Sequence, residues 1–268
     1  MPVFRLNQAI AFPPPHLALP EGLLAVGGDL SLPRLVAAYR LGIFPWYTPD
    51  EPILWWSPDP RLVIYPRELH VPRRLARTLR QGRFRITYDQ AFAQVVTACA
   101  GTRRGEHHGT WIVPEMAEAY IRLHRAGIAH SVEAWQSGTL AGGLYGVSLG
   151  AVFFGESMFS HVRDSSKAAL VDLLGRLRAA GFQLVDCQVT TEHLQRFGAR
   201  EIPRRDFLRQ LEAAVARPTL RGRWRAVGEG IDATPGAGMG ADGPGAGVKP
   251  AGTPGAGDAS DGPGPPGP

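Results

Sequence analysis

The sequence lacks the features that mark membrane, secreted and metal-binding proteins. Although 44% of its residues are hydrophobic, no uninterrupted apolar run approaches the length of a membrane span. We therefore expect a soluble protein that does not insert into membranes. The first residues have neither the basic start nor the long apolar stretch of a secretory signal peptide. The eight histidines have no metal-ligand spacing, so we predict no metal site.

Cysteine is also scarce, and this favours a reducing compartment. The two cysteines, Cys99 and Cys187, lie far apart, each within an apolar run. We expect both to be buried, reduced thiols, and the protein to be cytoplasmic. Basic residues outnumber acidic ones, and the net charge of +5 favours an acidic partner such as nucleic acid.

Composition divides the 268 residues into three segments. Residues 1–62 are rich in turns and aromatic side chains, and they predict a small N-terminal domain with one helix, which begins at Ser31. Residues 63–227 predict a larger domain. From about Gly228 the chain consists mainly of Gly, Pro, Ala and Asp. Such a tail cannot bury enough apolar surface to offset its ordering entropy, so residues 228–268 are predicted to be disordered.

The larger domain is organised around residues 130–188. Short apolar runs separated by glycine-containing turns predict an antiparallel meander. Its predicted strands are 130–136, 139–147 and 150–158. A helix then begins at Asp164 or Ser165 and ends at Gly181, and another strand-like run follows. A strand, a helix and a strand in succession predict a parallel crossover, so the fold class is α+β, with a mixed, mostly antiparallel sheet flanked by helices.

Three polar residues interrupt the apolar runs of this central stretch: Glu156, Asp186 and Gln188. Because Asp186 and Gln188 lie two residues apart, an extended strand directs both to one face and Val185 and Cys187 to the other. Burying a carboxylate and an amide without partners costs several kcal/mol of stability. A structural core rarely needs such groups, so these three residues are the first candidates for a functional site.

A cluster of arginines follows the first strand of the larger domain. Arg73, Arg77 and Arg80 fall on one face of a helix that begins at Pro72, with Arg74 adjacent. No acidic residue lies four positions away, so the face is not paired within the helix. Either it is an ordinary solvated face, or it binds phosphates, which arginine recognises with forked hydrogen bonds.

Two tryptophans occupy positions that suit a binding site. Trp46 belongs to an aromatic cluster between Phe44 and Trp56, and Trp111 follows a polar, glycine-containing loop. Trp46 is either part of a small core or a wall facing the site. Trp111 is either a plug at the edge of the core or a lid.

Several unusual strings run in order from about residue 9 to residue 213. They are AVGGDLS, GIFPWY, PILWWSPDPR, GTWI, AHSVE, GGLYGV, GESMFS, SKAAL, DCQ, HLQRFGA and EIPRRDF. Together they resemble the leucyl/phenylalanyl-tRNA–protein transferases of bacteria. The resemblance implies a second domain with the fold of GCN5-related acyltransferases. It also implies a cofactor-free reaction, in which Leu, Phe or, less well, Met moves from aminoacyl-tRNA to the N-terminal Arg or Lys of a protein and marks that protein for N-end rule degradation.

The resemblance also assigns roles to the polar candidates. Asp186 is implied to hydrogen-bond and orient Gln188, whose amide oxygen helps to take the proton of the attacking amine. In a rival account the terminal ribose 2′-hydroxyl shuttles the proton, and Asp186 and Glu156 hold the cationic acceptor. Both accounts suit the chemistry, because an aminoacyl ester is already activated and an α-amine has a pKa of about 7.7–8.0. The enzyme then mainly positions amine and ester and assists one proton transfer.

A hydrophobic slot for the donor side chain is implied by the same resemblance, with Leu144, Phe153 and Met158 on its wall. The other positions implied to contact the aminoacyl group or the 3′ adenosine are Trp46, Trp111, Gly155 and Ser160. Strict alternation would separate Phe153 from Met158, so Gly155 predicts a β-bulge that returns both to one pocket. The alternative is that the three apolar residues are ordinary strand core. The arginine cluster is expected to bind the tRNA.

Two other functions fit the sequence less well. An acyl-CoA-dependent N-acetyltransferase would seat the CoA pyrophosphate on a glycine-rich turn at the start of the crossover helix. That junction reads SHVRDSSK and has no glycine. A non-catalytic RNA-binding module would leave Glu156, Asp186 and Gln188 without a purpose. The transferase is therefore the leading prediction, for a protein expected to act as a monomer.

Overall fold

The computed structural model describes residues 3–102 and 112–225. The predicted disordered tail over 228–268 and the predicted lid residue Trp111 lie outside these residues, and both stay predictions. None of the described helices is long and apolar enough to cross a membrane.

The N-terminal part forms a small four-stranded sheet that the sequence analysis did not predict. Its elements are β1 (Phe4–Leu6), β2 (Leu23–Gly27), α1 (Leu32–Arg40), β3 (Phe44–Pro45) and β4 (Leu54–Trp56). The strand order is β1-β2-β4-β3, with β1 and β2 parallel and the other pairs antiparallel. These strands have only two to five residues each, too few for an alternating pattern to be visible. The predicted helix is confirmed as α1.

The rest of the described chain builds a seven-stranded sheet with helices on both faces. In chain order its elements are β5 (Arg61–Ile64), α2 (Arg73–Arg80), β6 (Arg85–Tyr88), α3 (Phe92–Ala100), α4 (Pro114–Arg125), β7 (Ala129–Gln136), β8 (Thr139–Leu149), β9 (Val152–Ser160), α5 (Ser165–Ala179), β10 (Leu184–Gln188), α6 (Glu192–Gln195), β11 (Arg200–Ile202) and α7 (Arg204–Val215). The strand order is β11-β5-β10-β9-β8-β7-β6, and β9 and β10 form the parallel pair of an otherwise antiparallel sheet. The predicted α+β class, the meander and the crossover through α5 are confirmed.

Two apolar cores lie on opposite faces of the large sheet. One is covered by α1, α3, α4, α7 and the small sheet, and it includes both Trp55 of β4 and Phe154 of β9. The other lies under α5 and includes Trp224. Because Trp55 and Phe154 share a core, the small sheet packs on the large one, and the described residues fall within one compact unit. A division into domains at 1–62 and 63–227 stays a prediction.

A β-bulge in β9 decides which side chains share a face. The pairing with β8 shifts after Gly155, and this leaves Glu156 as the extra residue. As a result, Phe153 and Met158 both pack in the core under α5, together with Leu144. The predicted bulge is confirmed. It has one further consequence, because Glu156 turns to the opposite face of the sheet, where it meets α1 and α4.

The chain after α7 returns to the core under α5. Trp224 is 2% exposed and stacks on the ring of His130, with the centroids 4.0 Å apart. The main-chain N–H of Trp224 donates a hydrogen bond to Asp89 Oδ2 at 2.7 Å, and His130 Nδ1 is hydrogen-bonded to the same oxygen at 2.9 Å. A segment without regular secondary structure therefore supplies one large buried ring to this core.

Candidate active site

The predicted polar residues come together where β9 and β10 stop pairing. The parallel ladder of these strands ends at the pair Phe154–Asp186. Beyond that pair, β9 has its bulge at Glu156, and the register of β10 shifts between Asp186 and Gln188. The two neighbouring strands therefore become irregular at the same level of the sheet, and this opening is flanked by Glu156 and Gln188.

Glu156 is held by two tyrosines from different helices. Tyr39 of α1 donates a hydrogen bond to Oε1 at 2.7 Å, and Tyr120 of α4 donates one to Oε2 at 2.5 Å. The two tyrosine hydroxyls are also 2.8 Å apart. Burial raises the pKa of Glu156 to about 7, since the tyrosine hydrogen bonds offset desolvation only in part and Asp186 adds a like charge. The carboxyl group therefore changes charge near neutral pH.

Asp186 is fully buried and forms an ion pair with Arg61 of β5. Arg61 Nε lies 2.8 Å from Oδ1, and Nη2 lies 2.7 Å from Oδ2, which is the forked geometry of a strong pair. The guanidinium lies between the rings of Phe44 and Phe207, at 4.9 and 4.6 Å from their centroids. Because both oxygens of Asp186 contact Arg61, this carboxylate is neutralised within the protein.

Gln188 is positioned through its main chain. Its φ of +63° is in the left-handed region, where a non-glycine residue needs support from its surroundings. The support comes from Asp186, whose Oδ1 accepts a hydrogen bond from the main-chain N–H of Gln188 at 2.9 Å. The side-chain Nε2 donates to Glu156 Oε1 at 3.3 Å. Within the described part of the chain, the amide oxygen of Gln188 accepts no hydrogen bond, so it is available to a ligand.

Cys187 lies on the other side of the strand, as predicted. With Val185 it packs against the core under α5, away from Asp186. Burial raises the pKa of the Cys187 thiol, and the charge of Asp186 adds to the effect. The thiol therefore stays protonated and is unsuited to act as a nucleophile.

Comparison with known proteins identifies the family. A model of the leucyl/phenylalanyl-tRNA protein transferase family matches residues 63–212, and a model of the N-terminal domain of that family matches residues 28–59. The chain belongs to the leucyl/phenylalanyl-tRNA protein transferase family. The resemblance found in the sequence is thereby confirmed, and Glu156, Asp186 and Gln188 all lie within the larger matched segment.

Curated members of this family cover nearly the same length. The leucyl/phenylalanyl-tRNA–protein transferase of Anaeromyxobacter sp. strain K is 61% identical over 86% of this chain and 99% of its own. That of Syntrophobacter fumaroxidans is 62% identical over 78% of this chain and 89% of its own. Among solved structures, a GCN5-related N-acetyltransferase from Kribbella flavida matches 63% of this chain and 59% of its own, with a TM-score of 0.34 and 13% sequence identity.

The residues that were predicted to contact the donor side chain are mostly buried in the protein core. Leu144 and Phe153 are 4% and 1% exposed, and Met158 is half-buried. All three pack in the core under α5, which is the opposite face of the sheet from Glu156. Ser160, at the end of β9, is exposed, and its hydroxyl lies 2.9 Å from that of Ser165.

Trp46 and the arginine cluster lie on the surface. Trp46 is 41% exposed, and its ring is paired with that of Trp56 at 5.9 Å between centroids. The exposed arginines of α2 are Arg73, Arg74, Arg77 and Arg80. None of them forms a salt bridge with a carboxylate of residues 3–102 or 112–225. Both features leave polar or aromatic surface open to a ligand.

The positioning residues Arg61, Tyr39 and Tyr120 were not predicted from the sequence. Arg61 stands at the start of a strand that follows a proline-rich turn, and this is a usual place for a solvated arginine. The tyrosines fall on apolar helix faces, where an aromatic ring is usually core. The one available signal was the presence of buried carboxylates, which require buried donors somewhere in the chain.

Proposed function

We propose that the protein transfers Leu, Phe and, less readily, Met from aminoacyl-tRNA to the N-terminal Arg or Lys of acceptor proteins. The observation that carries this proposal is the placement of Gln188. Its main chain is held by the buried Asp186–Arg61 pair and its side chain by Glu156, at the opening between β9 and β10. Family membership supports the reaction class, and the position of Gln188 supports the place that we propose for the reaction.

In the proposed reaction, the α-amine of the acceptor attacks the ester carbonyl of the aminoacyl-tRNA. A C–N bond forms and the ester C–O bond breaks, while the amine loses one proton and the departing ribose oxygen gains one. The free amide oxygen of Gln188 orients the amine by accepting a hydrogen bond from it. An amide is too weak a base to keep the proton, so the proton continues to the ribose oxygen, either directly or through the 2′-hydroxyl.

We favour the account in which Asp186 orients Gln188 over the rival account in which both carboxylates hold the cationic acceptor. Because Arg61 neutralises Asp186, we assign Asp186 the positioning of Gln188 rather than the binding of the cationic acceptor. Glu156 has no cationic partner among the described residues and is left to attract the acceptor. A cavity of about 660 Å³ that includes side chains of α4 adds negative charge. Its carboxylates are Asp29, Glu51, Glu115 and Glu118, of which Asp29 pairs with Arg34 and Glu118 with Arg122, another residue of the lining, so that Glu51 and Glu115 are left without a cationic partner among the described residues. A chain with a net charge of +5 needs such a local acidic surface to bind a cationic substrate.

The remaining assignments are part of the same proposal. The exposed arginines of α2 bind the phosphates of the tRNA, and Trp46 stacks on the aminoacylated adenosine. Leu144, Phe153 and Met158 contact the donor side chain near the opening. The protein acts in the cytoplasm as a monomer, without a cofactor, and its product enters N-end rule degradation.

The test is transfer of radiolabelled Leu from Leu-tRNA to a peptide that begins with Arg. The same peptide beginning with Ala is the matched acceptor control, and labelled acetyl-CoA is offered in parallel as the alternative donor. We expect label on the Arg peptide from Leu-tRNA alone. Label from acetyl-CoA, or equal labelling of both peptides, would contradict the proposal.

A further inference from the structure

A second cavity lies between α2, the start of α5 and the end of α6. Its volume is about 240 Å³. We name its basic residues the cation pocket; they are Arg74, Arg163, Lys167, His193 and Arg196. Only Arg74 belongs to the surface already assigned to tRNA, and the other four have no role in the proposed reaction. Three separate elements thus bring basic side chains to one concave site.

The charges of the cation pocket are not balanced internally. Its one carboxylate, Asp164, lies 2.6 Å from Lys167 Nζ and 3.8 Å from Arg163 Nε. Four cationic side chains and this carboxylate leave an excess of three positive charges. Within the described chain, Arg74 and Arg196 have no carboxylate partner. Because like charges at short range repel one another, a bound anion would stabilise this arrangement.

His193 gives an independent indication of a ligand. Its Nε2 is buried, faces no hydrogen-bond partner among the described residues, and belongs to a side chain that lines the cavity. Burial lowers the pKa of His193, and the charges of Lys167 and Arg196 lower it further. A buried ring nitrogen without a partner costs about 1–3 kcal/mol, and in the tautomer that carries the proton on Nε2 an oxygen of an anion would recover this.

The start of α5 adds to the attraction for an anion. Asp164 precedes the helix in a left-handed conformation, with φ of 67°, and its side chain does not cap the first turn. The first N–H groups of this 15-residue helix therefore lack a side-chain acceptor. Together with the helix dipole, they favour a negative charge at the position that the cation pocket surrounds.

We propose that the cation pocket binds a backbone phosphate close to the 3′ end of the donor tRNA. The identity of the anion rests on the proposed function. β9 runs from Glu156 to Ser160, about 13 Å at the usual rise of a strand, and α5 begins shortly after it. The pocket thus lies beyond the far end of the strand that carries the candidate active site, and we place the nucleotides next to the ester there. Side-chain cations here replace the glycine amides that would hold the pyrophosphate of CoA.

The experiment compares two phenylalanyl donors that differ by one phosphate. One is 3′-phenylalanyl-adenosine, and the other is the dinucleotide in which a cytidine is joined to its 5′ oxygen by a phosphodiester. The variant is Arg163→Gln with Arg196→Gln. We expect KM for the dinucleotide to rise about tenfold or more, which is the loss of about 1.4 kcal/mol, and KM for phenylalanyl-adenosine to stay unchanged.

The matched control is Arg205→Gln with Arg209→Gln, which removes two exposed arginines of α7. It should leave KM for both donors unchanged. An equal rise of KM for both donors in the pocket variant would mean a general disturbance, and no rise for the dinucleotide would mean that the pocket binds no phosphate. Either result overturns the proposal.

A binding measurement separates this inference from the proposed reaction. Adenosine 5′-monophosphate, adenosine and CoA are added to the wild-type protein, and the pKa of His193 is followed by NMR. We expect adenosine 5′-monophosphate to raise this pKa, adenosine to leave it unchanged, and the pocket variant to lose the response. If no donor supports transfer, the proposed reaction fails while this measurement still decides the pocket; binding of CoA in strong preference would overturn the assignment to RNA.

Discussion

The ion pair between Asp186 and Arg61 predicts that the substitution Asp186→Asn lowers both the stability of the protein and its transfer rate. Asp186→Asn leaves the Arg61 guanidinium buried without its counter-charge, and this costs about 3–5 kcal/mol of the free energy of unfolding. It also weakens the hydrogen bond that holds Gln188 in its left-handed conformation. We therefore expect kcat to fall together with stability, and denaturant unfolding and single-turnover transfer measure the two effects.

The control for this prediction is Asp206→Asn, at the start of α7. Among the described residues, Asp206 pairs with the exposed Arg205 and Arg209 alone, and such surface pairs contribute about 0–1 kcal/mol. Gln188→Ala adds a comparison: it should lower kcat less than Asp186→Asn if the 2′-hydroxyl can carry the proton, and equally if it cannot. An unchanged kcat in folded Asp186→Asn protein would refute the assignment of β10 to the site.

Glu156 predicts a specific pH dependence of stability. Its pKa is about 7 in the folded protein, against a usual 4.5. The folded state therefore binds the proton more tightly than the unfolded state, so the stabilising effect is complete below about pH 4.5 and is lost as the pH rises through 7. Relative to Glu156→Gln, the wild-type protein should lose roughly 3 kcal/mol of unfolding free energy between pH 4.5 and 8. Urea unfolding of both proteins across this range is the measurement, and parallel curves would contradict it.

The polar residues of the site could be predicted because they break an apolar pattern. Glu156, Asp186 and Gln188 are visible in the sequence as charges and an amide where strand core is expected. Arg61 and Tyr39 could not be found in this way. Neither breaks the pattern of its own element, and their roles depend on contacts over 125 and 117 positions of sequence.

At the scale of elements, α2 is the clearest candidate for a nucleic-acid contact. Replacing Arg73, Arg77 and Arg80 by Ala should raise KM for aminoacyl-tRNA. It should also reduce its dependence on salt, because each phosphate contact contributes about 0.7–0.9 to the slope of log K against log salt. The measurement is KM at several salt concentrations. Replacing the exposed Arg205, Arg209 and Arg217 is the charge-matched control, and an identical slope in both variants would leave α2 an ordinary solvated surface.

The predictability of an element follows from its length and its pattern. The strands β7, β8 and β9 have eight to eleven residues between recognisable turns, and they lie close to the predicted positions. Most of the helices begin at a Ser or Pro signal in the sequence and end near a Gly, whereas α3 begins after Ala91 without such a signal. The small N-terminal sheet gave no such signal. Loops and α1 separate its strands along the chain, and each strand is too short to show alternating apolar and polar residues.

At the scale of the whole molecule, the described residues after α7 stabilise the core under α5. Trp224→Ala removes a buried ring that stacks on His130 and should cost about 3–5 kcal/mol of unfolding free energy. Truncation after Val227, which retains Trp224, should leave both the melting temperature and the transfer rate nearly unchanged. Calorimetry of the two variants tests the contrast, and a large loss on truncation would show that residues 228–268 contribute to the fold.

The two tyrosines that bind Glu156 limit which N-terminal segments can be combined with a given larger segment in a chimaera. Tyr39 lies in the segment that matches the family's N-terminal model, whereas Tyr120 and Glu156 lie in the segment that matches the larger one. A chimaera that takes its first sixty residues from a relative without a hydroxyl at position 39 would leave the carboxylate with one donor fewer. We therefore expect the two segments to evolve together. A chimaera of two relatives should be active only where the hydrogen bond from position 39 to Glu156 is kept.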